Sequence, residues 1–160
     1  MKDKRILRLL LPLIPLVAIA LLLFMQPKTS DELLHLPEDS YSVSAMYWPT
    51  GTGLKSVTWE ADSPQAQQTV TWLRESSYHT NPLRVIHLPH SLSADYRLGA
   101  DESVILTIKD SQGKSYSVWL CSGEVRFTPP EGEGDRSGWL LPSHRGLRKD
   151  IIQLITTPSL

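Results

Sequence analysis

The chain has 160 residues, 41% of them hydrophobic, and a formal net charge of −1. Four basic residues and one acid lie within the first eight positions, so the rest carries 12 basic and 16 acidic residues, a net charge of −4. This mildly acidic remainder lacks the basic patch typical of nucleic-acid binding, so we expect no nucleic-acid partner. A single cysteine, Cys121, excludes an internal disulfide.

Residues 6–25, ILRLLLPLIPLVAIALLLFM, form an apolar run with one charge, Arg8. At about 1.5 Å per residue, an α-helix of this length spans roughly 30 Å, the thickness of a bilayer's hydrocarbon core. The basic residues that precede the run predict a cytoplasmic N-terminus and a body outside. We therefore predict a cytoplasmic tip and single-pass transmembrane anchor over 1–25, and localisation to the cell membrane.

A cleaved secretory signal is the alternative interpretation of the same run, because it also has a basic start and an apolar centre. The small-x-small match, Ala18-Ile19-Ala20, would leave the apolar LLLFM as a new N-terminus. No cysteine follows the run closely, which argues against lipid attachment. The pattern favours an uncleaved signal anchor.

The segment after the anchor, residues 26–40, is polar with prolines near both ends, which is typical of a stalk. Within it, Ser30 is predicted to cap one helical turn whose Leu33 and Leu34 dock on the body. Residues 41–158 are predicted to form one extracytoplasmic domain, a size that suits a single core.

Alternation of side chains predicts two strands, 41–48 and 54–60, that form a hairpin. Ser63 and Pro64 are a typical helix start, and the spacing predicts a helix over 64–77. An edge strand is predicted at 83–88, followed by a long connection.

The second half of the domain contains the clearest hairpin. Strands are predicted at 103–109 and 115–121 around the turn Asp110-Ser111-Gln112-Gly113. Shorter strands follow near 125–127 and 138–141, and Ser143 is predicted to cap a closing helix. The element order predicts an α+β domain, an antiparallel sheet with two helices packed on one face.

Cys121 is the sharpest catalytic candidate. An anchored extracytoplasmic chain with one cysteine, histidines before it and an arginine after it resembles the sortase transpeptidases. In that family a strand-borne cysteine attacks a threonyl carbonyl, with a histidine as acid/base and an arginine at the oxyanion. The resemblance would assign those roles to Cys121, to His87 or His90, and to Arg126.

This chain departs from the sortase pattern in its motif. The family's Thr-Leu-x-Thr-Cys stands here as Ser117-Val118-Trp119-Leu120-Cys121, which keeps the cysteine alone. The helix content also exceeds that of the sortase barrel. A buried structural cysteine is the simpler interpretation, because a reactive thiol needs an exposed setting that favours the thiolate.

The pair His87 and His90 does not predict a metal site. Pro89 prevents the helix that would place both imidazoles on one face, and no further cluster completes the coordination. The acidic loop with Glu131, Glu133 and Asp135 lacks the ligand order of a calcium loop. The sequence has no phosphate loop or dinucleotide fingerprint, so no metal or cofactor is predicted.

Five tryptophans offer a platform for a peptide or sugar, although strand and helix faces require most of them in the core. Trp119 lies opposite the predicted core face of its strand, and Trp48 lies opposite that of its own. If helices cover one face of the sheet, the other exposes these two rings. Trp48 and Trp119 are therefore the predicted binding surface.

The stretch from Ser103 to Phe127 pairs Asp-x-x-Gly with Tyr116-x-Val118-Trp119-Leu120-x-Ser122-Gly123-x-Val125. It resembles small uncharacterised membrane-anchored or lipoprotein-like extracytoplasmic domains of Gram-positive bacteria. The motif is structural, a hairpin and a tight turn, and covers about a fifth of the body. It implies fold and location and no functional residue.

Three functions remain open on the sequence. The first is a non-catalytic, membrane-tethered module that binds a protein, peptide or envelope ligand. The second is a cysteine-dependent envelope enzyme that uses Cys121. The third is an accessory subunit of a membrane complex, with the anchor helix as an interface.

Overall fold

The protein is an α+β fold with one antiparallel sheet, as the sequence predicts. A computed structural model describes residues 13–24, 26–34, 41–49, 51, 53–80, 102–121, 123–130 and 138–157. Its helices are α1 (Leu13–Phe24), α2 (Ser30–Leu34), α3 (Pro64–Glu75) and α4 (Leu147–Thr156). Its strands are β1 (Lys28–Thr29), β2 (Ser42–Trp48), β3 (Lys55–Trp59), β4 (Ser77–Thr80), β5 (Ser103–Lys109), β6 (Ser115–Cys121), β7 (Glu124–Thr128) and β8 (Leu140–Pro142).

The eight strands lie in the order β1-β4-β8-β7-β6-β5-β2-β3, and every neighbouring pair is antiparallel. Alternate side chains of each strand therefore share one face. We call the side that carries the buried residues the inner face. Its members are Val43, Ala45, Tyr47, Trp59, Tyr78, Val104, Leu106, Ile108, Tyr116, Val118, Leu120, Val125, Phe127 and Leu140.

The core lies between the inner face and the helices. Buried residues of α2, α3 and α4 belong to the same apolar cluster as the strand residues: Leu33, Leu34, Ala66, Val70, Leu73, Leu147 and Ile151. Tyr78 and Phe127 meet edge to face within it, with ring centroids 4.6 Å apart. Burial of these side chains removes apolar area from water and is the main stabilising term of the fold.

The predicted hairpin of β5 and β6 is confirmed, with Leu106 opposite Val118 in the register. Asp110 organises its turn, because Oδ1 accepts from the backbone N–H groups of Gln112 and Lys114, both at 2.9 Å. Gly113 has a φ of +82°, a conformation that a residue without Cβ adopts at no steric cost.

The two predicted helix caps of the domain have different outcomes. Ser63 caps α3 as expected, because its hydroxyl accepts from the N–H of Ala66 and Pro64 follows it. The prediction for Ser143 is wrong. Its hydroxyl accepts from the N–H of Ser77 and joins the β8 end to β4, while α4 begins after Gly146 without a side-chain cap.

Helix α3 ends at Glu75, two residues before its predicted end, and Ser77 already belongs to β4. Tertiary packing decides this boundary. The hydroxyl of Tyr78 donates to the carbonyl of Leu73 at 2.8 Å, and its ring fills the core. The strand predicted at 83–88 lies outside the described residues.

Part of the predicted stalk belongs to the folded domain. Thr29, and not Ser30 as predicted, caps α2: its hydroxyl accepts from the N–H of Glu32, whose carboxylate accepts from the N–H of Thr29. This reciprocal pair is a capping box. The Leu33 and Leu34 side chains are buried in the core, as the sequence predicts.

Arg74 of α3 fixes the same segment to the domain. Its Nε lies 3.3 Å from Asp31 Oδ1, and its Nη2 donates to the hydroxyl of Tyr41 at 3.0 Å. The guanidinium also lies over the Tyr41 ring, 5.6 Å from the centroid. One side chain therefore connects α2, α3 and the start of β2.

Helix α1 is apolar throughout, and its described side chains Leu16, Val17, Ile19 and Leu22 are exposed. Residues 6–12 and 25 of the predicted anchor lie outside the described residues. Across the part of the chain that the structure describes, no helix combines the length and the hydropathy needed to cross a bilayer.

Candidate functional site

The second side of the sheet, which we call the outer face, carries the residues that alternate with the core positions. Its central row runs across four strands in register: Met46, Ile105, Trp119 and Arg126. All four side chains are half-buried. Directly opposed residues of antiparallel strands have Cβ atoms about 5 Å apart, so the four side chains form a continuous row.

Hydroxyl residues form the neighbouring row of the outer face: Thr58, Ser44, Thr107, Ser117 and Thr128. The hydroxyls of Ser44 and Thr58 are 3.1 Å apart and hydrogen-bonded. These side chains are much shorter than Met46 or Trp119. The central row is therefore bordered by short side chains that accept and donate hydrogen bonds.

The third row lies at the end of the outer face and contains Trp48, Ser103, Cys121 and Glu124. Trp48 and Cys121 are half-buried, whereas Ser103 and Glu124 are only 5% and 7% exposed. This end is therefore more enclosed than the central row. The accessible aromatic surface is centred on Trp119, with Trp48 at its border.

The structure brings together some of the sortase-like candidates. Cys121 is a reduced, half-buried cysteine, and Arg126 lies on the same face, one row away on the adjacent strand. His87 and His90 lie outside the described residues. The sheet also differs from a closed barrel, because within the described chain β1 and β3 end the strand order and do not pair with each other.

The tryptophans divide as the strand periods predict. Of the strand tryptophans, Trp59 is buried on the inner face, whereas Trp48 and Trp119 occupy the outer face. Trp72 of helix α3 packs partly against the core. The two residues singled out by sequence thus share one face, although they belong to different rows.

A histidine–carboxylate pair lies beside the helices and was not predicted. Nε2 of His144 is 2.8 Å from Oδ2 of Asp150 in the first turn of α4. The ring of Trp72 from α3 meets the imidazole edge to face, with centroids 6.4 Å apart. The pair holds the start of α4 against α3. No helical spacing template predicts it, because His144 precedes the helix.

Two buried tyrosines have perturbed hydroxyls. Burial raises the pKa of Tyr78, and a hydrogen bond with Ser76 lowers it by less. Burial also raises the pKa of Tyr47, and so does the hydrogen bond that its hydroxyl donates to Glu102 Oε1 at 3.1 Å. Both phenols therefore stay neutral at physiological pH and act as hydrogen-bond donors within the fold.

Comparison with known proteins adds no relative: no protein-family model, no curated protein and no solved structure matches this chain. The function is therefore inferred from the surfaces described above.

Proposed function

We propose that the protein is a membrane-tethered, extracytoplasmic, non-catalytic interaction module. In this proposal an N-terminal transmembrane helix precedes one domain whose helices pack on the inner face. The outer face binds a protein, a peptide or an envelope component through the row Met46, Ile105, Trp119 and Arg126. Trp48 borders that surface.

The composition and placement of the central row carry the proposal. Tryptophan, methionine and arginine are enriched in the cores of protein interfaces, where a few large side chains supply most of the binding energy. Here they occur in register on a sheet, which holds their backbone positions rigidly. The hydroxyl row beside them provides a polar rim of the kind that surrounds such cores.

The apolar helix α1 supports the tether. The exposed side chains Leu16, Val17, Ile19 and Leu22 project to different sides of the helix at 100° per residue. A helix that is apolar on every side is suited to lipid rather than to the surface of a soluble domain. The basic residues before the run support an outward-facing domain.

Site-specific photo-crosslinking in cells that express the full chain tests the binding surface. A photoreactive amino acid replaces Trp119 in one variant and the exposed Lys55 of β3 in a matched control. We expect a discrete crosslinked species from position 119 that position 55 does not give. A second substitution, Met46→Ala, should reduce the yield at position 119 because it removes a neighbour in the same row.

The crosslinking variants must also be shown to fold equally well. Equal protease resistance of the crosslinking variants excludes misfolding as a cause of any difference. Identical products from positions 119 and 55, or none from position 119, would contradict the proposal.

Orientation is tested separately with a membrane-impermeant maleimide on intact cells. In a Cys121→Ser background, Lys55→Cys should react and Lys4→Cys should react only after the membrane is opened. The reverse pattern would place the domain inside the cell and end the extracytoplasmic part of the proposal.

A further inference from the structure

Helix α1 and the first strand are separated by only three residues. Helix α1 ends at Phe24 and β1 begins at Lys28. Four extended residue steps cover at most about 14 Å. The headgroup layer of one leaflet is itself about 5–8 Å thick. A helix that ends at the hydrocarbon boundary therefore leaves β1 within about 10 Å of the membrane surface.

Strand β1 is held firmly by the domain, so it does not act as a loose spacer. It pairs with β4 through Lys28 opposite Tyr78 and Thr29 opposite Ser77. Helix α2 follows at once and buries Leu33 and Leu34 in the core. Lifting the domain from the membrane would require these leucines to leave the core.

We infer that the domain rests directly on the outer surface of the bilayer through the β1–β4–β8 side of the sheet. This inference depends on the transmembrane anchor of the proposed function. This side of the domain contacts the headgroup layer of the same membrane that holds the chain's own anchor. The acidic domain has no general attraction for lipid, so the short covalent connection is what imposes the contact.

The corner nearest the membrane is set by the register of these strands. Strand β1 runs antiparallel to β4, and its first residue, Lys28, pairs with Tyr78. The chain therefore enters β1 at the end of β4 where His79 lies, and His79 pairs with Leu141 of β8. Lys28 is exposed, and so is Leu141, a large apolar side chain with 38% exposure. The two side chains lie on opposite faces at this end of the sheet, because Lys28 pairs with Tyr78 and Leu141 with the next residue, His79. Each suits the boundary between headgroups and acyl chains, the lysine as a cation and the leucine as an apolar group.

The strand order then sets how far each part of the sheet lies from β1. Adjacent strands are about 4.8 Å apart, so β3 lies seven spacings, roughly 34 Å, from β1. Trp119 on β6 lies four spacings, roughly 19 Å, from β1. Lys55 on β3 is therefore a distant reference point for a measurement at the membrane surface.

Fluorescence quenching in vesicles tests the contact with the full chain. In a Cys121→Ser background, single cysteines at Lys28→Cys, Leu141→Cys and Lys55→Cys carry the same fluorophore. The vesicles contain phosphatidylcholine and phosphatidylglycerol, with a nitroxide quencher on a fraction of the headgroups. We expect several-fold stronger quenching at positions 28 and 141 than at position 55. Equal quenching at positions 55 and 141 would overturn the inference.

A spacer variant separates the short connection from any other cause of contact. A flexible twelve-residue Gly-Ser insertion between Gln26 and Pro27 adds an average reach of about 19 Å. Because it precedes β1, it leaves the domain intact, and quenching at position 141 should fall toward the value at position 55. Quenching that survives the insertion would overturn the role of the short connection.

Alkaline carbonate extraction of the same vesicles distinguishes loss of the anchor from loss of the contact between domain and membrane. A chain that is washed from the vesicles contradicts the anchor, and with it the proposed function. A chain that is retained, but whose label at position 141 is unquenched, leaves the anchor intact and overturns only the contact between domain and membrane.

Discussion

The two faces of the sheet are built from the same strands but from different chemistry. On the inner face, Leu106 and Val118 are fully buried beneath the helices. On the outer face, their chain neighbours Ile105 and Trp119 are large but half-buried. The period of two in each strand separates a surface that stabilises the fold from one whose large side chains stay partly in contact with water.

The largest expected effect is on the free energy of unfolding. It is seen by comparing substitutions of two isomeric side chains that are adjacent on β5. Leu106→Ala should lower the free energy of unfolding by about 3 kcal/mol, because it leaves a cavity in a closely packed core. Ile105→Ala should lower it by about 1 kcal/mol, because its side chain is already half in contact with water. Chemical denaturation of the full chain in detergent measures both.

The pair is its own matched control, because both substitutions remove the same number of carbon atoms from one strand. Equal losses would mean that the outer face is packed as tightly as the inner face. Trp119 would then be a core residue, and the proposed binding surface would lose its basis.

A smaller loss of stability is expected when the buried hydroxyl of Tyr78 on the inner face is removed. Tyr78→Phe should cost about 1–2 kcal/mol at neutral pH, because it leaves the carbonyl of Leu73 without its hydrogen bond. The raised pKa of Tyr78 adds a pH dependence. Its contribution is complete below the ordinary value of 10.0 and falls as the pH rises above it, because the unfolded phenol ionises first.

Unfolding measured across alkaline pH checks the sign of this effect. The native chain should lose stability above pH 10 more steeply than Tyr78→Phe, so the difference between the two should narrow. Tyr47→Phe is a suitable comparison, since that hydroxyl bonds to the Glu102 side chain rather than to a helix carbonyl. A difference that widens above pH 10 would show that Tyr78 is not the group responsible.

The sequence predicted what depends on local periodicity and turn chemistry. The hairpin of β5 and β6 and the start of α3 at Ser63 and Pro64 follow from alternation, a tight turn and a helix cap. The placement of Trp119 on the face opposite Val118 also follows from a period of two. Each of these features is decided within about ten residues of chain.

Features that depend on distant contacts were missed. Strand β1 has two residues and no pattern of its own, and it exists because β4 pairs with it. Ser143 has the chemistry of a helix cap, yet its hydroxyl finds the N–H of Ser77, 66 positions away in sequence. The His144–Asp150 pair forms across a turn whose conformation no spacing rule specifies.

The candidate site was predictable only to the level of a face. Trp48 and Trp119 were placed together because both oppose the core positions of their strands. That they fall in different rows depends on the register of β2 against β5 and of β5 against β6, which the sequence does not specify. Met46, Ile105 and Arg126 join Trp119 for the same reason.

The smallest expected effect on stability is that of replacing Cys121. The same substitution distinguishes a binding module from a thiol enzyme. Its side chain lies half-buried on the outer face, so Cys121→Ala should change the free energy of unfolding by no more than about 0.5 kcal/mol. The folded chain should react with a maleimide, only more slowly than the unfolded chain. A thiol that reacts only after unfolding would place Cys121 in the core.

The decisive comparison is between this substitution and one in the central row. If the outer face binds its ligand without covalent chemistry, Cys121→Ala should leave the crosslinked species at Trp119 intact, whereas Met46→Ala should diminish it. Cys121 lies one row from Trp119 on the same strand, so both substitutions change the same surface while only one removes a nucleophile. Loss of the crosslink with Cys121→Ala in a chain of unchanged stability would instead give the thiol a direct part in recognition.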